Sequence, residues 1–555
     1  MNEEKQRLRL IPLGGLGEIG LNMMAVEYGD TIIVIDCGLM FPEAHMLGID
    51  IVIPDISYLK ENREKVKAFV ITHGHEDHTG AIPFVLREID APIYATPLTI
   101  GLIEAKLSEF NLLSTTTLET VRPRDVISIG PFDIEFIRVS HSIVDGCGLA
   151  ITTPVGVVVH TGDFKLDQTP VDGEVIDYAR FSEYGEKGVL ALLSDSTNVE
   201  KEGYTLSEKE IGSNIEEIFR HCGGRIIVAA FSSNIHRVQQ VLNCAVKTGR
   251  KVILNGKSMV SNVNIATTLG YLRYPEGLIV DMKDIGRFPD REMVLLTTGS
   301  QGEPMSALTR MSMNNHKQVK VKKGDTVILS SKFIPGNEKT ISTMMNHLYR
   351  RGADVIYEKV SEVHVSGHAS KEELKIMLNM VKPRFFVPVH GEYRHLVLHA
   401  RLAESVGIPE KNVLIAEDGD VVELTEDSAQ ISGKVSTGKV FVDGKGVGDV
   451  GDMILKDRRH LSNDGMVIVV VSLNESTGEL LYGPDIITRG FVFEEESAEL
   501  LKNAKDRVIE TLNGLNTEAK SEQLEVEQEI KRTLRRLFNK TLERRPVILP
   551  VVIEI

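Results

Sequence analysis

Short apolar runs recur along the first part of the chain, and several end directly at histidine or aspartate. Runs of this length with apolar and β-branched residues predict buried strands. They lie at residues 9–13, 22–28, 31–36, 68–72, 134–140, 157–162 and 189–193. The tight turn Gly29-Asp30 joins the second and third runs as a hairpin. The pattern favours a sheet-rich domain with ligand-type side chains gathered at strand ends.

From Thr205 the pattern changes to an alternation of strands and helices. Thr205-Leu206-Ser207-Glu208 has the spacing of a capping box, which predicts the start of a helix. Strands are then predicted at residues 225–230, 251–254 and 293–297, with helices from about Ser233 and over residues 262–272. This alternation is typical of a parallel sheet with helices on its faces, so a separate α/β unit is expected.

Beyond about Lys434 the chain consists of short strands, glycine turns and charged helical segments. Residues 466–472 and 480–482 predict a hairpin, followed by a long amphipathic helix over residues 521–542 and a strand at 547–552. A small α+β domain without a set of metal ligands is expected. Its apolar strands beside an amphipathic helix predict that the region from about residue 455 supports self-association.

The segment His73-Gly74-His75-Glu76-Asp77-His78 follows the strand at residues 68–72. Three imidazoles and a carboxylate are more ligands than one zinc ion takes when it keeps a position for water. His73 and His75 point the same way in extended backbone, whereas Asp77 and His78 lie past the bend. The segment predicts two metal ions sharing one loop; the alternative is a histidine-rich surface loop.

Two further strand ends carry ligand-type residues, His141 and Asp163. Three ligand-bearing strand ends are what a metal site at a sheet edge requires. Asp36 also ends a strand, and we expect it to orient a histidine ligand. A helix over residues 79–88 is predicted to begin over the metals, and His160, within its strand, is predicted to be structural.

Composition sets limits on these interpretations. The chain has 555 residues, too many for one core, so two or three domains are expected. A net charge of −16 argues against general nucleic-acid affinity, so any nucleic acid requires a local basic groove and the metals. The four cysteines lack CxxC spacing, which favours free thiols in a reducing cytoplasm. No apolar run is long enough to span a membrane, and the first residues do not form a secretory signal.

The histidine-rich loop resembles the signature of the metallo-β-lactamase fold, and nearly all of the chain is similar to ribonuclease J of the β-CASP branch. Ser194-Asp195-Ser196-Thr197 resembles the first β-CASP motif, and Val363-His364-Val365-Ser366-Gly367-His368-Ala369-Ser370 resembles the second. The resemblance implies an α/β protein: a metallo-β-lactamase αββα sandwich, an inserted β-CASP α/β domain and a small C-terminal α+β domain. The implied boundaries are residues 1–204 and 371–430 for the sandwich, 205–370 for the insertion, 431–454 for a linker and 455–555 for the C-terminal domain.

The resemblance also implies a ligand set for two zinc ions per subunit, with manganese or magnesium as substitutes. His73, His75 and His141 would hold one ion and Asp77, His78 and His390 the other, with Asp163 bridging the two. A hydroxide activated by both ions would attack the phosphodiester. The implied catalytic residues are Asp163, Asp195 and His368, with Asp195 acting through His368 to support the leaving group.

Loops that offer backbone N–H groups and hydroxyls suit phosphate binding. The resemblance implies a nucleotide site formed by Ser232, Ser233, Asn234, His364, Val365, Ser366, Gly367, His368 and Ser370. The loop from Gly299 to Pro304 is a further phosphate-binding candidate, with a plain turn as the alternative. The lysines 317, 320, 322 and 323 are candidate RNA contacts, with a solvated surface as the alternative. Ribonuclease J relatives also suggest a structural calcium ion at Gly48, Asp50 and Asp443.

The function that the resemblance implies is a ribonuclease with 5′-to-3′ exonuclease and endonuclease activity in RNA maturation, including rRNA processing, and mRNA decay. A preference for 5′-monophosphate ends is implied. The implied partners are RNA, a second copy of the chain in a homodimer or homotetramer, and other RNA-decay proteins or the ribosome, with no membrane and a cytoplasmic location. Three alternatives stay open: a DNA-directed β-CASP nuclease, a small-molecule metallo-hydrolase and a non-catalytic subunit.

Overall fold

The computed structural model describes residues 7–555 except 44, 302–305, 334–336, 445, 476, 493–496 and 521, and it omits the side chains of 517 and 518. The chain separates into two compact units. The first consists of Met1–Phe41 with Ile51–Val440, and the second of Pro42–Asp50 with Phe441–Ile555.

The first unit contains an eight-stranded sheet. Its strands, in spatial order, are Ala429–Lys434, Asp420–Leu424, Leu8–Gly14, Met23–Tyr28, Thr31–Ile35, Val66–Val70, Ile93–Ala95 and Leu118–Thr120. The predicted hairpin is present, because Tyr28 pairs with Thr31 across a two-residue turn. Gly29 has a φ of 61° in that turn, a conformation that glycine adopts without steric cost.

A six-stranded sheet packs face to face with the first. Its order is Pro383–Val389, Val189–Asp195, Gly156–His160, Cys147–Thr153, Phe132–Arg138 and Val126–Ile129. Val26 and Ile33 of the first sheet share one buried core with Phe136 and Leu149 of the second. The other face of the second sheet is covered by the helices Tyr178–Lys187, Lys371–Val381 and Tyr393–Ser405.

A third sheet is formed by the segment of the chain that separates, in sequence, two neighbouring strands of the second sheet. The chain leaves the second sheet at Asp195 and returns beside it, in parallel, at Pro383. The intervening five parallel strands have the order Lys251–Asn255, Met293–Thr297, Ile226–Ala229, Thr326–Leu329 and Asp354–Ile356. Alternate residues of each strand enter two separate cores, as expected when both faces are buried. The predicted α/β insertion is therefore present.

The remaining elements of the first unit are helices and short strands. Its other α-helices are Ser57–Glu61, Glu76–Thr79, Ile82–Val85, Pro97–Glu109, Glu208–His221, Ile235–Lys247, Lys257–Thr268, Ala307–Ser312 and Glu338–Arg350. Its 3₁₀ turns are Arg63–Lys65, Leu113–Thr115, Met282–Arg287, Asp290–Glu292 and Glu410–Asn412. Ile51–Pro54 is a strand, and Leu16–Gly17 pairs in parallel with Gly391–Glu392.

Two predicted helix starts are wrong. In place of one helix over residues 79–88 there are two short helices, Glu76–Thr79 and Ile82–Val85. Pro83 lacks an N–H and is tolerated only in a first turn, so a new helix begins around it. The predicted capping box at Thr205 is also absent, because Ser207 caps the helix by accepting a hydrogen bond from the Lys209 N–H.

The second unit is built on a three-stranded sheet, ordered Leu480–Arg489, Met466–Leu473 and Val547–Glu554. The first two strands form the predicted antiparallel hairpin, and the third runs parallel to the central strand. The helices Ala498–Gly514 and Gln523–Leu542 pack on one face of this sheet. The unit also contains the helices Asp452–Asp464 and Thr517–Lys520. The strand Lys439–Asp443 pairs antiparallel with Gly446–Val447, with Asp443 opposite Gly446. Within the described part of the chain, no helix combines the length and apolar character that a membrane crossing needs.

Candidate metal centre

The structure brings together all seven predicted metal ligands at one edge of the two facing sheets. His73 and His75 follow the strand Val66–Val70, and Asp77 and His78 lie in the short helix behind it. His141, Asp163 and His390 each follow a strand of the second sheet. The ligand atoms fall into groups within which every pair lies inside 4.8 Å, and Asp163 belongs to every group among the described residues.

The first group consists of three imidazoles and the Asp163 carboxylate. His75 Nδ1 lies 3.0 Å from His73 Nε2 and 3.1 Å from His141 Nε2. Asp163 Oδ2 lies 3.6 Å from the Nε2 atoms of His73 and His141. Burial lowers the pKa of His75 to about 4, and burial also lowers the pKa values of His73 and His141. The rings are therefore neutral at pH 7, the form in which imidazole binds a metal.

The second group has two carboxylates and two imidazoles. His78 Nε2 lies 3.3 Å from Asp163 Oδ2, and His390 Nε2 lies 3.6 Å from Asp163 Oδ1 and 3.5 Å from Asp77 Oδ2. Burial favours the neutral imidazoles, but the surrounding carboxylates outweigh it and raise the pKa values of both histidines. Asp163 is buried and Asp77 is partly exposed, and two carboxylates this close in a largely buried site require a compensating positive charge.

His390 Nε2 supplies a direct test of whether these residues fit a metal. This nitrogen is buried and has no hydrogen-bond partner among the described residues. It points toward the same space as the carboxylates of Asp77 and Asp163. A convergent set of imidazole nitrogens and carboxylate oxygens is the donor set of divalent transition metals, so the residues fit a metal centre.

Hydrogen bonds from the surrounding structure orient the histidine rings. Asp36 Oδ2 accepts from His78 Nδ1 at 2.7 Å, as predicted, and Thr72 donates to the same carboxylate. Asp36 has a φ of 60°, an uncommon conformation for a non-glycine residue. Fixing Nδ1 in this way leaves His78 Nε2 directed at Asp163.

Two other rings are oriented by groups for which the sequence predicted no such role. The Gly367 carbonyl accepts a hydrogen bond from His141 Nδ1 at 2.8 Å, and Thr197 Oγ1 lies 2.6 Å from His390 Nδ1. A β-carbon at Gly367 would lie 2.5 Å from His141 Cε1, so only glycine allows this approach. Both contacts join segments far apart in sequence, and no local pattern signals them.

The predicted pair of Asp195 and His368 is formed beside the metal ligands. His368 Nδ1 lies 2.8 Å from Asp195 Oδ2, and Asp195 is buried while the His368 side chain is 19% exposed. Burial alone would raise the pKa of the Asp195 carboxyl, but His368 and His390 outweigh it and lower that pKa. Because Nδ1 is engaged, Nε2 is the ring nitrogen left for a substrate.

The predicted nucleotide-site residues lie in two loops at the carboxyl edge of the inserted sheet. Ser366 Oγ accepts from Asn198 Nδ2 at 2.8 Å, and Ser232 Oγ accepts from Asn262 Nδ2 at 3.2 Å. Val365 and Gly367 are buried, Ser233 and His364 are partly buried, and His364 Nδ1 has no hydrogen-bond partner among the described residues. Asn234 and Ser370 are N-caps of the helices that follow, so each hydroxyl or amide oxygen already serves a helix.

The structure does not bring every predicted residue to this centre. The lysines 322 and 323 precede the strand Thr326–Leu329, so they lie at the sheet edge opposite the loop of His368, which favours a solvated surface. Gly302 to Pro304 lie outside the described residues.

The predicted calcium site lies in the second unit. Arg458 Nη2 lies 2.5 Å from Asp443 Oδ2, and Asp50 Oδ2 accepts a hydrogen bond from the Gly444 N–H. A calcium ion at these residues, near Gly48, stays a prediction.

The two facing sheets, the ligand-bearing strand ends and the inserted parallel sheet define a metal-dependent hydrolase of the metallo-β-lactamase fold. Family models match in the same order along the chain. Residues 16–198 match the metallo-beta-lactamase superfamily, 223–348 the ribonuclease J beta-CASP domain, 352–416 the Zn-dependent metallo-hydrolase RNA specificity domain, and 453–555 the ribonuclease J C-terminal domain. The predicted fold class is confirmed.

Full-length relatives define the family more narrowly. The chain is 44% identical to ribonuclease J 1 of Streptococcus pyogenes, over 98% of this chain and 96% of that protein. It is 41% identical to ribonuclease J2 of Bacillus subtilis, over 99% of both chains. It is 43% identical to ribonuclease J of Thermus thermophilus, over 99% of this chain and 96% of that protein. The chain belongs to the ribonuclease J family. A structure of a protein of unknown function from Enterococcus faecalis shares the fold, with a TM-score of 0.55 at 17% identity over 75% of this chain and all of that one.

Proposed function

We propose that this protein is a metal-dependent ribonuclease that hydrolyses phosphodiester bonds at the centre around Asp163. The observation that carries the proposal is the placement of the Asp195–His368 pair against that centre. His368 Nδ1 lies 3.9 Å from Asp163 Oδ2 and 2.8 Å from Asp195 Oδ2. A metal-ligand set and an oriented imidazole thus face the same space.

The proposed ligand partition follows the two groups of converging atoms. His73, His75 and His141 would hold one zinc ion, and Asp77, His78 and His390 would hold a second, with Asp163 facing both. Zinc is expected because imidazole and carboxylate are its usual nitrogen and oxygen ligands; manganese and magnesium are the substitutes. When bound, the ions supply a water-derived nucleophile at neutral pH and stabilise charge on the attacked phosphate.

The chain's own residues supply the rest of the reaction. Asp195 holds His368 Nδ1, so that Nε2 can give a proton to the 3′ oxygen that leaves. The product then carries a 5′-phosphate. Thr197 orients the ring of His390, and the Gly367 carbonyl orients the ring of His141, which limits how far either ligand can turn.

RNA with a 5′-monophosphate end is the proposed substrate, with 5′-to-3′ exonuclease and endonuclease activity in RNA maturation and decay. The names of the full-length relatives support RNA, and the two hydroxyl-bearing loops at Ser232 and Ser366 support phosphate recognition. We also propose that the protein forms a homodimer or homotetramer and acts in the cytoplasm. The domain boundaries predicted from the sequence are part of the same proposal.

The test is incubation of purified protein with 5′-labelled, monophosphorylated RNA, with a DNA strand of the same sequence and a thioester as parallel substrates. Release of short 5′-labelled products from RNA alone, lost with a chelator and restored by zinc or manganese, is expected. Asp163→Asn should remove this activity. His221→Ala is the matched control, because His221 lies on a helix of the insertion with an exposed side chain. Cleavage of DNA or thioester in preference to RNA would contradict the proposal, as would full RNA cleavage by Asp163→Asn.

A further inference from the structure

Asn198 is a buried amide three residues beyond Asp195, and its side chain reaches into the loop that carries His368. It is 3% exposed. Its Nδ2 donates to Ser366 Oγ at 2.8 Å and to the His368 carbonyl at 3.0 Å. Neither acceptor belongs to the metal ligands or to the reacting groups. The bonds nevertheless join the end of a strand in the second sheet to the inserted domain, across 168 and 170 residues of sequence.

The loop that Asn198 holds has two contacts with the reaction centre. The His368 ring bonds Asp195, and the Gly367 carbonyl bonds the His141 ring. Both contacts depend on where the backbone of residues 366–368 lies. A single shift of this loop would therefore misplace the proton-donating imidazole and one metal ligand together.

Other groups hold the same loop incompletely. Thr205 Oγ1 also donates to the His368 carbonyl, at 2.9 Å, and the His368 N–H donates to Ser366 Oγ at 3.3 Å. The second bond lies within the loop and cannot fix it to the second sheet. Thr205 Oγ1 also contacts Ser370 Oγ, so both of its bonds lie beyond Gly367. Among these side-chain contacts, those of Asn198 lie on both sides of Gly367.

We propose that Asn198 is a positioning residue that fixes the loop of residues 366–368, and thereby sets both the His368 ring against Asp195 and the Gly367 carbonyl against His141. The inference rests on the proposed ribonuclease function for its kinetic consequence. Its consequence for metal retention does not depend on the substrate.

The test uses the full-length, zinc-loaded protein with Asn198→Ala and Asn198→Asp. The aspartate has nearly the same shape but no N–H donor, so equal losses in both variants would assign the effect to donation rather than packing. We expect kcat on RNA to fall on the order of a hundred-fold, and by more than KM rises, because a misplaced group costs the transition state more than binding. Zinc retention against a chelator should weaken roughly ten- to a hundred-fold, as for other partners of ligating histidines.

A double-mutant cycle separates positioning from general destabilisation. In a His368→Ala background with zinc kept in excess, Asn198→Ala should lower kcat by much less than in the unsubstituted protein, because the ring that it positions is absent. Asn62→Ala is the matched control, since Asn62 Nδ2 donates to the Tyr58 carbonyl at the end of a helix that carries none of these residues. That variant should keep both kcat and zinc retention.

Three results would overturn the proposal. One is an unchanged kcat and unchanged zinc retention in Asn198→Asp, with kcat expressed per folded protein. Another is an equal loss of kcat from Asn198→Ala with and without His368. The third is zinc retention that falls no further than in Asn62→Ala. If the unsubstituted protein cleaves no RNA, the ribonuclease proposal fails, and the zinc measurement still decides whether Asn198 positions the loop.

Discussion

Which ring nitrogen each histidine presents decides whether the centre can hold a cation. His78, His141 and His390 engage Nδ1 with an aspartate, a carbonyl and a threonine hydroxyl, and each presents Nε2 to the centre. His75 does the reverse and presents Nδ1 toward His73 and His141. These choices fix the tautomers, because the engaged nitrogen must carry the proton wherever its partner can only accept.

Residue types and spacing predicted six of the seven candidate ligands, and His390 was predicted only from the family resemblance. Of the residues that orient the rings, Asp36 alone was predicted. His73 to His78 are close in sequence and follow a strand, so their density alone indicated a metal site. Asn198 and Gly367 act through contacts between the second sheet and the inserted domain. Thr197 contacts His390 only where the chain returns to the second sheet after the insertion. Such contacts leave no periodic or local signal in a single sequence.

Substitution of one ligand of the second group should abolish activity without unfolding the protein. In Asp77→Ala and His78→Ala we expect RNA cleavage to fall below detection, because a ligand is lost while the hydrophobic cores are untouched. Glu76→Ala is the control, since Glu76 lies between His75 and Asp77 but its side chain is 51% exposed and pairs with Lys106. The measurements are RNA cleavage and thermal unfolding. Full activity in either ligand variant would refute a two-metal mechanism.

A carboxyl group away from the metal ligands should make stability depend on pH. Burial and the nearby Glu18 carboxylate raise the pKa of Asp418 to about 7. Its unfolded pKa is about 4, so the folded state binds more protons between these values and loses stability as pH rises from about 4 to 7. Asp418→Asn keeps an oxygen to accept from the Leu16 N–H and removes this cost.

Asp418→Asn should therefore be more stable than the unsubstituted protein at pH 8, by roughly 1–3 kcal/mol, and the gain should shrink as pH falls toward 5. Urea unfolding at both pH values measures it. Asp427→Asn is the control, because the Asp427 side chain is 82% exposed and should show no comparable pH dependence. A gain of equal size at both pH values would show that charge burial is not the cause.

Among the elements, strands were predicted more accurately than helix ends. A buried strand can be predicted from its own run of apolar residues, as at Val189–Asp195, where every residue is buried. A helix start depends on which side chains are free to cap it. Thr205 was expected to cap a helix, but its N–H bonds Glu373 and its hydroxyl bonds the His368 carbonyl. Glu208, expected to complete the cap, pairs with the buried Arg237. Both side chains are engaged in tertiary contacts and are therefore not available to cap the helix.

The two loops at the carboxyl edge of the inserted sheet should bind the 5′-monophosphate of the RNA. In Ser366→Ala or Ser232→Ala, a lost hydrogen bond to a charged phosphate should cost roughly 1.5–3 kcal/mol, or about ten- to a hundred-fold in 5′-exonuclease rate. Internal cleavage needs no terminal phosphate and should fall much less in Ser232→Ala. Ser366→Ala also removes an acceptor of Asn198, so it should lower both activities. Ser213→Ala, on an exposed helix position, is the control.

The assay compares RNA bearing a 5′-monophosphate, a 5′-hydroxyl and a 5′-triphosphate, with both activities measured in each variant. A selective loss on the monophosphate is the expected result for Ser232→Ala. Equal losses on all three substrates would mean that the hydroxyls serve the chemistry or the fold, and that the monophosphate is bound elsewhere.

At the scale of the whole molecule, one face of the sheet in the second unit is largely apolar and, among the described residues, exposed. Helices pack on the other face, whereas Ile487, Leu549, Val551 and Ile553 are each at least 37% exposed. Ile487 and Leu549 both pair with Ile468, so the three side chains form one row across the sheet, with Ile468 in the middle. A contiguous apolar patch of this kind marks an interaction surface.

We expect this face to support self-association of the chain. Leu549→Lys combined with Val551→Lys, or removal of the residues after 454, should reduce the mass measured by light scattering after size-exclusion chromatography. Leu524→Lys is the control, because Leu524 is 71% exposed but lies on a helix away from this face. A doubly substituted or truncated protein that keeps the oligomer size of the full chain would locate the interface elsewhere.

The insertion between Asp195 and Pro383 also determines the order in which the protein can form during synthesis. The strand Val189–Asp195 pairs on one side with Gly156–His160, but its other neighbour follows about 190 residues later. At about 5–20 residues per second the ribosome needs roughly 10–40 s to supply it. Throughout that interval the second sheet has an unpaired edge, a ready template for pairing with another chain. His390 emerges later still, so the metals can be fully enclosed only after the inserted domain has been made. Slow translation across the insertion should therefore increase aggregation of the nascent chain, although the finished protein would be unchanged.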